Sequence, residues 1–351
     1  MIETTFANAI NQAIYDSLES DKKVLCLGLG TTDPKGVFGT TLGLKEKFGK
    51  DRVFDIPTSE NAITGVCAGL GIAGYKPILT HQRLDFALLS LDQIINNAAK
   101  IHYMYGGNLS CPIVIRMIIG RGWGQGPTHS QNLQALFSGI PGLIVAMPST
   151  AQDAYSQLRA CIDNPNPCIF LEHRWLHNSK GQISKNYSQE DLIKQRIMNK
   201  GSDYTIVATG YMVLEALRAY DILQKNYGLS GDIISFRNYN PDLISEITES
   251  VSRTKKIIFA DTSQRKLSIG NLILFELRNQ TKLKGIEALT LTMPDVPEPT
   301  SKFLTKNLYP SYKDLTKKVV RLVNKNLSLE SILFEENHSH DIPGKWFKGP
   351  F

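Results

Sequence analysis

Two patterns of apolar residues alternate along the first half of the chain. Short runs of consecutive apolar residues are typical of strands buried on both faces, and longer segments with an apolar residue every three or four positions are typical of helices. The predicted strands are 24–27, 52–54, 77–80, 112–119, 143–146 and 168–171, and the predicted helices are 6–18, 42–48, 61–74, 87–105, 132–137 and 151–162. This alternation predicts a parallel sheet with helices on both faces and ligands at the carboxyl ends of its strands.

The same alternation resumes after residue 201. The predicted strands are 204–208, 232–236, 256–260 and 286–292, and the predicted helices are 213–223, 243–251, 269–277 and 312–324. The stretch between the two halves is polar and lacks periodicity, as expected of a linker. We therefore predict an α/β protein of two domains, each a mainly parallel sheet with helices on both faces. Residues 1–178 form the first domain, 179–201 the linker, 202–327 the second domain and 328–351 a C-terminal tail.

The predicted tail is aromatic. It contains Trp346, Phe347 and Phe351, and such a cluster is unfavourable in water. We therefore expect the tail to dock on its own domain or on a partner.

Composition narrows the class of protein. With 351 residues, 42% of them hydrophobic and 21% charged, the chain is typical of a soluble globular protein with enough length for two cores. The net charge of +6 is modest, and no basic block interleaved with aromatic residues indicates nucleic acid. The longest apolar stretch, Val66 to Leu79, is interrupted by glycines and by Tyr75-Lys76-Pro77, so it is too short to span a bilayer. Neither nucleic acid nor a membrane is an expected partner.

The cysteines favour a reducing compartment. Their number is odd, they form no CxxC pair, and the N-terminus lacks a basic segment followed by an apolar one. Reduced thiols and a cytoplasmic location are therefore expected. No Cys/His spacing resembles a zinc site, and His102, His173 and His177 are expected to be structural.

One stretch, Phe54 to Gly65, combines a strand end, a proline turn and a helix start. Ser59 is predicted to cap a helix whose first residue is Glu60. Taken alone, Glu60 fits a first-turn acid favoured by the helix dipole, and a catalytic role is the alternative. The helix that follows is rich in glycine and alanine, which indicates a close approach by another backbone or by a flat ligand.

Two further strand ends carry candidate chemistry. The predicted strand 77–80 runs into His81 and then Phe86, and the strand 112–119 opens into a loop with four glycines and His129 between Gly120 and Gln131. Such a loop is typical of function rather than packing. Glu60, Phe86 and His129 thus all lie just beyond strand ends, which predicts a shared site. The loop Gly28–Gly36 has neither GxGxxG nor GxxxxGK[ST], so an ordinary strand exit is favoured over a phosphate cradle.

A set of motifs in this order resembles a known family. The motifs are Phe54-Asp55-Ile56-Pro57-Thr58-Ser59-Glu60-Asn61, Asp92-Gln93-Ile94-Ile95-Asn96, Tyr103-Met104-Tyr105-Gly106-Gly107, Thr128-His129-Ser130-Gln131, Pro141-Gly142-Leu143 and Pro294-Asp295-Val296-Pro297. They resemble the β subunit of the thiamine-diphosphate-dependent 2-oxoacid dehydrogenases (the E1 component, pyruvate or branched-chain type), in the transketolase-like superfamily. The resemblance extends from about residue 6 to residue 309. It implies a pyrimidine-binding domain followed by a transketolase C-terminal-like domain.

The resemblance also implies roles for individual residues. Glu60 would face N1′ of the cofactor's aminopyrimidine and stabilise the imino tautomer, which removes the proton from C2 of the thiazolium. Phe86 would stack on the pyrimidine, and Thr58 and Leu89 would line its pocket. His129 would transfer protons or hold the substrate carboxylate. His81, at another strand end, is a further polar group for the substrate.

Metal binding is implied at two places. Ile113, Cys161, Asn164 and Asn166 fall where some relatives bind a structural potassium ion, although the Asn164-Pro165-Asn166-Pro167 turn fits a plain loop equally well. The family's Gly-Asp-Gly signature for magnesium and diphosphate is missing, and its nearest match, Gly231-Asp232, opens a strand. A separate E1 α-type subunit is therefore expected to supply magnesium and the diphosphate half of the site, in an α₂β₂ heterotetramer.

Two departures from the family pattern concern the acyl acceptor. Gly28-Leu29-Gly30 replaces the usual Gly-Glu-Asp, and the run Asp261 to Gly270 replaces a Gly-rich segment near the surface for a lipoyl transacylase core. The leading hypothesis remains decarboxylation of a 2-oxoacid and transfer of the acyl group to a lipoyl arm. The alternative is a transketolase-like, carboligating enzyme with an aldehyde or sugar acceptor. A non-catalytic homologue is disfavoured by the presence of Glu60, Phe86 and His129 together.

Overall fold

The structure is a computed structural model that describes residues 1–120, 124–240, 242–280, 285–323, 334 and 339–347. Phe351, most of the predicted tail and residues 121–123 of the His129 loop lie outside the described residues.

The described residues contain strands in two large sheets and one small one. The strands are β1 (Ile2–Thr5), β2 (Val24–Gly28), β3 (Val53–Phe54), β4 (Lys76–His81), β5 (Val114–Ile119), β6 (Ile144–Ala146), β7 (Cys168–His173), β8 (Lys180–Ile183), β9 (Arg196–Asn199), β10 (Tyr204–Ala208), β11 (Gly231–Ser235), β12 (Lys256–Gln264) and β13 (Glu287–Met293).

Helices separate most of these strands. They are α1 (Phe6–Ser20), α2 (Gly36–Gly39), α3 (Leu44–Phe48), α4 (Glu60–Ile72), α5 (Leu84–Ala87), α6 (Ala99–Met104), α7 (Ala135–Ser138), α8 (Ala151–Asp163), α9 (Met212–Tyr227), α10 (Ser245–Thr254), α11 (Ile269–Asn279) and α12 (Tyr312–Val323).

The first sheet is parallel, with strand order β3-β2-β4-β5-β7-β6. Its strands are buried on both faces because alternate side chains enter two separate cores. Cys26 and Ile78 pack towards α1 and α8, whereas Leu27 and Leu79 pack towards α4 and the second domain. The predicted α/β class with helices on both faces of a parallel sheet is confirmed.

The second sheet has the order β13-β12-β10-β11-β9 and is parallel except for β9, which runs antiparallel to β11. The segment predicted as a linker is partly regular. It contains β8, which pairs with β1, a 3₁₀ turn at Gln189–Leu192, and β9 at the edge of the second sheet. These short strands are polar, so hydrophobic periodicity does not reveal them.

The predicted helix 87–105 is divided into shorter pieces. After α5 come a 3₁₀ turn at Leu88–Ser90, a π-helical stretch at Gln93–Ala98 and then α6. In the π-helical region the Asn97 side chain donates to the backbone carbonyl of Asp92 and to the side chain of Gln93. Such side-chain bonds to the backbone compete with regular helical hydrogen bonds.

The glycine-rich helix α4 makes the predicted close approach on one side. A Cβ on Gly71 would lie 3.3 Å from the Pro112 ring, and one on Gly65 would lie 3.0 Å from Gln93 Oε1. Gly69 has no neighbour within 4 Å, and Val66 is 54% exposed. Packing within the described chain therefore explains the small residues of α4 at some positions and not at others.

The described part of the tail docks on its own chain. Phe347 is buried, its ring lies 6.3 Å from that of Trp175, and the Arg174 guanidinium lies 5.4 Å from its centre. The Arg218 guanidinium, on α9 of the second domain, donates to the carbonyl of Pro343.

In the described ranges, no helix combines the length and apolar character needed to cross a bilayer. All five cysteines are free and buried.

Candidate active site

A cleft opens at the carboxyl ends of β2, β3 and β4. It encloses about 280 Å³ when the adjoining open solvent is included, and it is lined by Leu29, Ile56, Pro57, Thr58, Ser59, Glu60, Thr80, His81, Gln82 and Phe86. The lining places three sequence-predicted residues, Glu60, His81 and Phe86, around one space. Thr58 also lines the cleft and is exposed.

Glu60 is the first residue of α4 and is half-buried. The predicted capping bond from Ser59 is absent: Ser59 occupies the N-cap position at ψ 67° and its side chain makes no capping bond. At the capped helices α1 and α8 the N-cap threonines have ψ near 163°, the extended geometry in which the side chain reaches the first turn. In the same turn the Thr64 hydroxyl donates to the Glu60 carbonyl at 2.7 Å, which is a bond back to residue i−4 and not a cap.

His81 lies beside this turn and is buried. Its Nε2 is 3.5 Å from Thr64 Oγ1, so the imidazole, Thr64 and the Glu60 carbonyl form a chain of polar contacts. Burial lowers the pKa of His81 to about 4. The ring is therefore neutral at pH 7 and can offer the cleft a hydrogen bond but no positive charge.

His129 approaches the cleft from the loop after β5. Its exposed ring packs against the Phe86 ring at 5.3 Å between centres, with the two planes nearly perpendicular at 89°. Its Nδ1 lies 2.9 Å from the Thr128 hydroxyl, and His129 itself is not among the cleft-lining residues. The structure thus brings the aromatic ring and the loop histidine together, as their strand-end positions predicted.

Two charged residues that sequence reasoning missed hold this loop. The buried Arg83 guanidinium donates to the Gly120 carbonyl at 2.9 Å and to Oε1 of Gln125. Asp85 accepts a hydrogen bond from Gln131 Nε2 at 2.8 Å. A sequence signal exists, since Arg83 and Asp85 directly follow a buried strand, where a charged residue needs a specific partner.

The second domain binds the residues that directly follow this loop. The Asn132 amide donates to Glu298 at 3.3 Å, and Gln134 donates to Asp261 at 2.7 Å. Asp261 is fully buried and also accepts from Thr209 and from the Tyr239 hydroxyl. Burial, followed by the Asp261 charge, raises the pKa of Tyr239 well above its usual value, so its proton stays on this network.

Beneath the cleft, a buried ion pair crosses the first sheet. Arg116 binds both carboxylate oxygens of Glu172, at 2.6 and 3.0 Å, and donates to the hydroxyls of Thr80 and Thr40. Burial alone would raise the pKa of Glu172, but Arg116 and His177 outweigh it and lower that pKa. The pair anchors Thr80, whose neighbour His81 faces the cleft.

Leu89 lies apart from the residues that form the cleft. It is 67% exposed and is not among the cleft-lining residues. Its assignment to the pyrimidine pocket remains a prediction.

The residues expected at a potassium site lie around the start of β7. The Cys168 N–H donates to the Ile113 carbonyl at 2.9 Å, and the Asn164 N–H donates to the Cys161 carbonyl at 3.2 Å. Asn164 Oδ1 accepts from the backbone N–H of Asn166. Each backbone carbonyl keeps a second lone pair, so these bonds are compatible with a cation without requiring one. Elsewhere too, the described residues contain no group of three or more His, Cys, Asp or Glu side chains placed to hold a metal ion.

Comparisons with known proteins place most of the chain in known families. Residues 3–179 match the family "Transketolase, pyrimidine binding domain", and residues 194–315 match "Transketolase, C-terminal domain". The chain is 32% identical to the pyruvate dehydrogenase E1 component subunit beta of Bacillus subtilis, over 90% of this chain and 97% of that protein. The chain belongs to the E1 β family.

Two other relatives agree with this placement. The mitochondrial pyruvate dehydrogenase E1 component subunit beta of Saccharomyces cerevisiae is 32% identical over 93% of this chain and 89% of its own length. The 2-oxoisovalerate dehydrogenase subunit beta of Bacillus subtilis is 35% identical over 76% of this chain and 81% of its own length.

Among solved structures, a split-gene transketolase (an inactive β4 tetramer) matches 91% of this chain and 97% of its own, with a TM-score of 0.73 and 18% identity. This last likeness shows the fold alone. The resemblance drawn from the E1 β motifs is confirmed.

Proposed function

We propose that this chain is the β subunit of a thiamine-diphosphate-dependent E1 enzyme that decarboxylates a 2-oxoacid and transfers the acyl unit to a lipoyl group. The observation that carries the proposal is the cleft in which Glu60, His81 and Phe86 converge and to which the His129 loop is joined. Family membership supports it, because the relatives described above are named as pyruvate and 2-oxoisovalerate dehydrogenase β subunits.

The cleft fits the pyrimidine half of the cofactor. Its walls are apolar at Leu29 and Ile56, Phe86 supplies an aromatic ring, and Glu60 is the single acidic residue of the lining. A flat heterocycle with basic ring nitrogens matches that combination of an apolar slot and one carboxyl group. When bound, thiamine diphosphate supplies a nucleophilic carbon and an electron sink for decarboxylation.

The residues of this chain have distinct tasks in that reaction. Glu60 would hold N1′ of the aminopyrimidine, and Phe86 and Thr58 would hold the ring in place, with Leu89 as a further contact. His129 would exchange a proton with the substrate or hold its carboxylate through Nε2. Neutral His81 would donate or accept one hydrogen bond without adding charge.

A partner is needed for the rest of the site. We propose that an E1 α-type subunit provides the magnesium and diphosphate half, that the assembly is an α₂β₂ heterotetramer in the cytoplasm, and that a lipoyl transacylase core receives the acyl group. A structural potassium ion at Ile113, Cys161, Asn164 and Asn166 also remains a proposal. The carboligating alternative has less support, because the curated relatives described above are dehydrogenase subunits.

The decisive variant is Glu60→Gln. In complex with the α-type partner, the wild-type enzyme should exchange the C2 proton of bound cofactor for deuterium rapidly. Glu60→Gln should slow that exchange at least 100-fold, since an amide cannot supply the proton that N1′ takes up in the imino tautomer. Exchange is measured by quenched-flow NMR.

Glu46→Gln is the matched control for this experiment. Glu46 is also a first-turn helix acid, but it is exposed on α3 and outside the cleft. The control should exchange at the wild-type rate. Undiminished exchange in Glu60→Gln would refute the assigned role.

A further inference from the structure

The loop that carries His129 has little stiffness of its own. Gly120, Gly124 and Gly126 all have positive φ, at 85°, 56° and 70°. Glycine reaches this region without strain, but it also leaves the unfolded loop with many accessible conformations. Some other part of the molecule must therefore fix the position of His129.

One four-residue segment, Arg83 to Phe86, supplies several of these constraints. Arg83 reaches the first residue of the loop, Gly120, and its middle, Gln125, while Asp85 holds Gln131 just beyond His129. The same segment ends in Phe86, whose ring touches the His129 ring. The loop is thus tied on both sides of His129 to the segment that presents the aromatic ring to the cleft.

The chemistry of these contacts argues for positioning rather than for simple packing. Arg83 is only 3% exposed, and burial of its charge lowers its pKa, with the charges of Asp85 and Glu298 acting in the opposite direction. An apolar side chain would fill that space without the cost of burying a charge. A guanidinium, however, is a rigid planar fork that can hold two acceptors at fixed positions.

We infer that Arg83 and Asp85 are positioning residues that set His129 against Phe86, and so against the cofactor and substrate. This inference rests on the proposed roles of Phe86 and His129. It predicts that their loss leaves cofactor activation by Glu60 intact and impairs only the step that uses His129. A displacement of about 1 Å in a reacting group can reduce the rate about 100-fold.

The test compares Arg83→Met and Asp85→Ala in complex with the α-type partner. Each should lower kcat for the 2-oxoacid about 10- to 100-fold, leave KM within threefold, and leave C2 proton exchange within twofold of wild type. Asp85→Asn should recover most of the loss, since its amide oxygen still accepts from Gln131. Arg83→Lys should recover only part, because one ammonium replaces a two-armed fork.

A double-mutant comparison separates positioning from stability. If Arg83 acts through His129, Arg83→Met should change kcat less than twofold when His129 is already alanine. Arg159→Met is the matched control: Arg159 is 9% exposed and bonds Ser17 and Tyr187, away from the loop. It should lower stability and leave kcat unchanged.

Three outcomes would overturn the inference: wild-type kcat in both Arg83→Met and Asp85→Ala, equal losses with and without His129, or a parallel loss of C2 exchange. Failure of the proposed function would give a different result. In that case the complex would show no C2 proton exchange that depends on Glu60, so Glu60→Gln and wild type would exchange at the same rate.

Discussion

At the scale of single residues, burial determines the charge of two histidines. His81 is 3% and His177 is 1% exposed, and burial lowers the pKa of each to about 4. For His177 the nearby Glu172 acts in the opposite direction and is outweighed. Both rings are therefore neutral in the folded protein at pH 7, which suits His81 to hydrogen bonding in a cleft that already holds one carboxyl group.

These two histidines should make the fold acid-sensitive. Their folded pKa lies below the unfolded value of about 6.5, so the unfolded chain binds protons first and stability falls as the pH drops from about 6.5 towards 4. Between pH 7.5 and 5.5 each histidine should cost about 1 kcal/mol of unfolding free energy. His177→Gln should remove that share in urea titrations at the two pH values.

The control for this pH effect is His102→Gln, since His102 is exposed on α6. It should keep the wild-type loss. An equal loss in wild type and His177→Gln would contradict the explanation.

The site could be predicted from sequence only as far as strand ends determine it. Glu60, Phe86 and His129 were candidates because each follows a strand, and the structure brings them to one edge of the first sheet. Arg83 and Asp85 were missed because their partners lie about 40 residues further along the chain, in a loop without regular structure. Periodicity carries no information about such hydrogen bonds.

At the scale of elements, buried strands were predicted better than short edge strands. The strand 204–208 matches β10, whereas β1 and β8 were missed because most of their residues are exposed or half-buried. The break between α5 and α6 was missed for another reason. The apolar spacing continues through it, whereas the distinguishing contacts of the π-helical turn are polar: the Asn97 side chain donates to the Asp92 carbonyl and to the Gln93 side chain.

One contact between elements should be very sensitive to size. Gly142 has φ 97°, and a Cβ there would overlap the Ala99 carbonyl at the start of α6. Gly142→Ala should therefore lower the free energy of unfolding by roughly 2–4 kcal/mol, through both backbone strain and overlap. Denaturant titration of the full chain measures this change.

Gly139→Ala provides the comparison, because Gly139 has no neighbour within 4 Å of an added Cβ and a negative φ. It should change stability by less than about 0.5 kcal/mol. Equal stability of the two variants would show that α6 yields at this contact.

At the scale of the whole molecule, the proposed function implies a site that a second subunit completes. The cleft offers an apolar slot and a carboxyl group for the pyrimidine half of the cofactor. Since binding strength depends on both ends of a ligand, a chain that holds one end should bind the cofactor weakly.

Calorimetric titration checks this split directly. The purified chain with thiamine diphosphate and magnesium should show a dissociation constant at least 100-fold weaker than the complex with the α-type partner. Within the complex, Glu60→Gln should weaken cofactor binding relative to the wild-type complex. Tight binding by the isolated chain would refute the divided site.

The polar pairs that join the first half of the chain to the second have a consequence for recombination between related genes. Asp153 in α8 binds Arg196 and Arg237 at 2.8 Å each, and Gln134 binds Asp261 across the same boundary. Consider a chimera in which the chain up to about residue 190 is joined to the second half of a relative. The buried Asp153 carboxylate would lose its partners unless that second half also carried arginines at the positions of Arg196 and Arg237. These residues must therefore be inherited as sets, and lineages that recombine such genes should keep or replace them together.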